Sequence, residues 1–108
     1  MDFASAVKIF DQIAGSNHAA SREELFTRAF RYARIRADWY TLSSDDRHRV
    51  NDARTAAHNA LIGSCDKLSR IMDQSGEDTS WRKMLGEDRI TIGDFACYLH
   101  CILGLKSK

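Results

Sequence analysis

The chain has 108 residues, 44% hydrophobic and 29% charged, enough for one globular domain with a core that needs neither metal nor disulfide. Its net charge of +1 is spread evenly, with basic and acidic side chains balanced in each third, which excludes a basic arm or an acidic tail. No apolar run approaches the roughly 20 residues of a membrane span, the start Met-Asp-Phe-Ala-Ser lacks a signal-peptide pattern, and three cysteines make no disulfide framework, so a bacterial, cytoplasmic protein is expected.

The first predicted helix spans about Phe3 to Ala14, with Phe3, Val7, Phe10 and Ala14 on one stripe and Gly15 as its stop. Ser16 to Ala20 form a loop. Ser21 and Glu24 read as a capping box opening a second helix that runs to about Tyr40. Its apolar positions are Leu25, Phe26, Ala29, Phe30, Ala33, Ala37 and Tyr40. Thr41 and Leu42 are a tight connection, which predicts an antiparallel hairpin with the third helix.

That third element is a proline-free amphipathic run from Ser43 to Gly76. Val50, Ala53, Ala57, Ala60, Leu61, Cys65, Leu68, Ile71 and Met72 recur at steps of three and four, the signature of one helical face. Ser43 caps the start with Asp46 three positions on, and Gly76 closes the end in a left-handed turn. Some 30 residues would make a rod roughly 45 Å long. It is expected to be the spine on which everything else packs. Gly63 and Ser64 break the pattern in mid-helix. A helical glycine costs about 1 kcal/mol relative to alanine, and a close crossing by the last helix is the expected reason.

Glu77 to Ser80 cap a short fourth helix carrying Trp81, Met84 and Leu85 and ending at Gly86. The last helix begins between Asp88 and Thr91 and continues to about Leu105. Its apolar residues from Ile90 to Leu105 cover nearly the whole circumference, the pattern of a helix buried among others or shared with a partner chain. The predicted fold over residues 1–108 is a single all-α domain, a bundle of about five helices. Three are long core helices and two are short covers, with Phe30, Leu61, Leu68, Phe95, Leu99 and Ile102 buried. If the covers leave a side of the last helix open, pairing of two copies about a two-fold axis is the expected remedy.

Cys97, His100 and Cys101 first suggest a metal, because thiols four apart share a helical face. Further ligands would have to come from His58 and Cys65, roughly 10 Å apart along their helix, so no one ion takes both. Buried inert thiols are the preferred reading, with no metal and no cofactor. Asp45, Asp46, His48, Asn51 and Asp52 crowd the start of the third helix, where the helix dipole favours acids. Arg54 and His58 are too close in sequence for a helical ribonuclease pair, and His58 reads as a satisfied boundary histidine. No catalytic motif is present, and no catalytic residue is predicted.

The second helix carries Arg28, Arg31 and Arg34 in a drifting i+3 row, interleaved with aromatics, which could face phosphates. Glu23, Glu24 and Asp38 share the helix, and Arg34 can pair with Asp38. The leading reading is therefore a non-catalytic module acting through contact with an as yet unidentified protein, with Trp39, Tyr40 and Trp81 as contact residues and with self-association favoured. The alternative is a nucleic-acid-associated regulator using the arginine row.

Overall fold

The computed structural model describes the backbone of residues 1–106 and the side chains of residues 1–104. Leu105, counted above among the apolar residues of the last helix, lies outside the described side chains. Among the described residues the chain is five helices and no strand: α1 (Phe3–Ala14), α2 (Ala19–Trp39), α3 (Ser44–Gln74), α4 (Ser80–Leu85) and α5 (Arg89–Lys106). This is the all-α bundle that the periodicity predicts.

Both ends of α3 obey their local signals. Ser43 Oγ accepts the Asp46 N–H at 3.2 Å at the start. At the end Gly76 takes φ +75°, its N–H donates to the Asp73 carbonyl at 3.0 Å, and the Glu77 N–H reaches back to the Met72 carbonyl at 2.9 Å. These two reverse bonds satisfy carbonyls that the helix end would otherwise leave bare. At 1.5 Å per residue α3 is about 46 Å long, and it sets the 47 Å long dimension of the molecule.

The hub, however, is α2 and not α3. Both α3 and α5 pack along α2 more extensively than on each other, and both run antiparallel to it. On one side Glu24 reaches Lys67 and Arg28 reaches Ser64; on the other Phe30 meets His100 and Arg36 meets Asp94. Length alone misidentified the spine. A helix can be central only if it offers apolar or small surface on two sides, and α2 does so with Leu25, Phe26, Ala29, Tyr32 and Ala33. The first thirteen residues of α3 have no such surface, since Ala57 is its first buried residue.

Further departures have local causes. α2 begins at Ala19, two residues before the expected Ser21 cap, and its N-cap His18 makes no capping bond. His18 Nε2 is held instead by Glu77 Oε2 at 2.7 Å and lies 3.2 Å from Ser75 Oγ, while Glu24 is engaged with Arg28 and Lys67. Tertiary contacts displace the capping box. Gly63 is exposed with open space where a Cβ would stand, so no helix crosses there. The close approach falls on Gly93 of α5, where a Cβ would lie 2.7 Å from Arg36 Nη1.

The core contains Leu61, Leu68, Phe95, Leu99 and Ile102 as expected, but Phe30 is only half-buried at the edge of the α2–α5 contact. The short helices cover one side of the α2–α5 layer and leave the other open. Phe3 of α1 meets Tyr98 of α5 edge-on at 5.5 Å between ring centroids, and Phe10 stacks with Phe26 at 5.9 Å. Gln12 fastens α4 to α1, its Oε1 accepting the Trp81 N–H at 3.0 Å. No helix of the described residues is long and apolar enough to cross a membrane.

Candidate interaction groove between α2 and α5

Where α2 and α5 run side by side, both present small residues one turn apart: Ala33 and Ala37 on α2, Cys97 and Cys101 on α5. Side chains of this size cannot fill the space between two helix axes, which pack 8–10 Å apart when larger residues meet. An open groove of about 680 Å³ results. Phe30 and His100 close one end, their rings edge to face at 5.0 Å. Arg31 and Arg34, both exposed, form the α2 rim.

The groove is charged in one sense only. Arg31 and Arg34 line it, and no carboxylate does. Among the described residues the arginine ion pairs involve Arg28, Arg36, Arg49 and Arg82, so the expected Arg34–Asp38 pair does not form and both rim guanidiniums are free of counter-charges.

The predicted arginine row is split. A step of three residues turns a helix through 300°, so an i+3 row drifts by about 60° per step and Arg28 lies roughly 120° round the axis from Arg34. Arg28 accordingly turns to the α3 side, donating to Ser64 Oγ at 2.7 Å and pairing with Glu24 at 2.9 Å. Only Arg31 and Arg34 meet in the groove.

The three predicted contact aromatics are not brought together. Trp81 is fully buried, its indole Nε1 without a hydrogen-bond partner among the described residues, so it is a core residue and not a contact residue. Trp39 is half-buried at the α2–α3 turn beneath two guanidiniums, with Arg54 Cζ 4.3 Å and Arg47 Cζ 5.7 Å from its ring centroid. Such cation–π contacts occupy the indole face that a partner would use. Tyr40, which ends α2, is 69% exposed and remains available.

Cys97 and Cys101 do share a face, but they are not the buried thiols expected, since Cys101 is exposed and Cys97 half-buried at the groove; His100 turns to Phe30, and no three His, Cys, Asp or Glu side chains of the described residues come together as a metal cluster. Cys65 is remote from them in the core, where burial pushes its thiol up to about 12. His58 is buried outright and not at a boundary: its ring lies edge-on to Tyr32 at 5.5 Å, and its Nε2 has no hydrogen-bond partner among the described residues. It does not line the groove.

Sequence reasoning weighed the Arg28–Arg31–Arg34 row and the Cys97–His100–Cys101 cluster separately. It missed that Arg31 and Arg34 face that cluster across one groove, along with the contributions of Ala33 and Ala37. The available signal was the matching of two small-residue steps of four on two predicted helices. Compared with known protein families, with curated proteins and with solved structures, the chain matches none.

Proposed function

We propose that the protein is a cytoplasmic, non-catalytic interaction module that receives a protein partner in the α2–α5 groove. The observation that carries this reading is an apolar floor built from Phe30, Ala33, Ala37 and Cys97, rimmed by two arginines that have no counter-charge among the described residues. Apolar centres with polar rims are the usual anatomy of protein contacts, and arginine is enriched in them. The groove holds two thiols and an imidazole, but among the described residues His100 makes no hydrogen bond to Cys97 or Cys101 and packs on Phe30 instead, so no activated nucleophile is assembled. A nucleic-acid reading has less support, because Arg28 is committed to α3 and two arginines flanking an apolar floor do not make a phosphate track.

Site-specific photo-crosslinking tests this reading. A photoreactive side chain at Ala37 should give a discrete protein adduct in the native cells, whereas the same group at the exposed Arg70 of α3 should not. The adduct at Ala37 should disappear when Cys101→Leu fills the groove. Equal labelling from the two positions, or none from Ala37, would remove the groove as the functional surface.

A further inference from the structure

Resting on that reading, the identity of the partner surface follows from the shape and charge of the groove. From Phe30 to Ala37 it runs along eight residues of α2, about 10 Å, which is two turns of a helix laid beside it. Its walls are two antiparallel helices, so a third helix seated between them completes a three-helix layer and buries the floor that the small residues leave open. Two turns offer two or three inward positions at i, i+3 and i+4. Arg31 and Arg34, one turn apart on the rim, face whatever flanks those positions, and no acid among the described residues pairs with them. We infer that the groove binds an acidic amphipathic helix of another protein, with apolar anchors about one turn apart over Ala33 and Ala37 and carboxylates of similar spacing against Arg31 and Arg34.

A second copy of this chain is the less suitable occupant. Pairing groove to groove about a two-fold axis would bring two Arg31–Arg34 pairs toward each other across an apolar, partly desolvated seam. Like charges so placed disfavour association unless an anion is recruited. An acidic helix meets no such opposition.

The test uses two synthetic helical peptides of about four turns, identical in their leucine anchors, one with glutamates flanking the anchors and one with lysines. Binding is read by fluorescence anisotropy. The glutamate peptide should bind the intact protein at least roughly tenfold more tightly than the lysine peptide, since opposite charge against the rim is favoured and like charge penalised. The double variant Arg31→Glu/Arg34→Glu should invert that preference, because both residues are exposed and the fold does not depend on them. Cys101→Leu, also at an exposed position, should weaken both peptides while leaving the thermal melt in place. Equal affinity for the two peptides overturns the charge assignment, and failure of both to bind overturns the helical occupant. Tighter binding of a single-stranded oligonucleotide that displaces the glutamate peptide overturns it in favour of nucleic acid. Self-association in sedimentation equilibrium that Cys101→Leu abolishes gives the groove to a second copy. The photo-crosslink from Ala37 separates the two levels: its presence with peptide failure sinks only the acidic helix, and its absence sinks the interaction module itself.

Discussion

The Arg36 guanidinium lies across Gly93, its Cδ and Cζ each 3.0 Å from where a Cβ would stand, and its Nη2 is 2.9 Å from Asp94 Oδ1. Glycine is thus required at a buried position of α5 by a side chain from α2. Alanine there would gain helix propensity, about 1 kcal/mol. It would also drive the whole head of Arg36 from its seat, not only a flexible tip. Gly93→Ala should therefore destabilise the protein by roughly 1–2 kcal/mol in urea unfolding. In an Arg36→Ala background the same change should stabilise, since nothing remains for the methyl to strike. An unchanged sign in that background would show that something other than Arg36 imposes the glycine.

Gly63 predicts the opposite. It sits within α3, is exposed, and has no atom within 4 Å of an added Cβ. Gly63→Ala should raise stability by about 0.5–1 kcal/mol through helix propensity and a less flexible unfolded chain. A lower melting temperature would mean that α3 needs the glycine for a purpose its surroundings do not reveal.

Asp94 makes stability depend on acid. Partial burial pulls its carboxyl upward, but hydrogen bonds from Arg36 and the Met1 amine, with their charges, outweigh that and hold it below the usual carboxylate value. A depressed folded value gives stability that is complete above the unfolded value, near about 4, and that is lost as pH falls through the folded value. The gap in melting temperature between the native protein and Asp94→Asn should therefore be widest near neutrality and close at strongly acid pH. A gap that persists unchanged into acid would detach Asp94 from the effect.

The three cysteines should separate by reactivity. Cys101 is exposed, Cys97 half-buried and Cys65 buried, its thiol raised by that burial to about 12. With an aromatic disulfide reagent near pH 8, Cys101 should react fast, Cys97 more slowly and Cys65 only on unfolding. Bound glutamate peptide should protect Cys97 and Cys101 together. Fast modification of Cys65 in the folded protein would place it outside the core.

The fold was legible wherever local chemistry and tertiary packing agree. The Ser43 cap, the Gly76 turn and the limits of α1 and α4 are written in a few residues each, and the structure follows them. Legibility failed where partners distant in sequence decide. Ser21 and Glu24 form a sound capping box on paper, but Glu24 is drawn to Lys67 and His18 to Glu77, more than forty residues away. Trp81 shows the same limit, because an aromatic residue on a six-residue helix can be an anchor or a core plug, and only the position of α1 decides. The groove was hidden for the same reason. Its two walls can be read as separate helices, but their registration, Cys97 against Ala33, is a property of docking and not of either helix.

The central position of α2 also orders the assembly of the fold in time. Joining α2 to α3 needs only the short turn at Thr41 and Leu42, whereas bringing Asp94 to Arg36 closes a loop that includes all of α3 and α4. Loop-closure entropy grows with the span enclosed, so the α2–α3 hairpin is the cheaper early event and α5 the later arrival. The groove exists only after that arrival. A ligand seated in it selects molecules whose folding is complete and slows the release of the last helix. Native-state hydrogen exchange should then find α5 amides opening at lower free energy than those of the α2–α3 hairpin, with the difference narrowed when the groove is filled. Occupancy would become a report on the integrity of the whole chain.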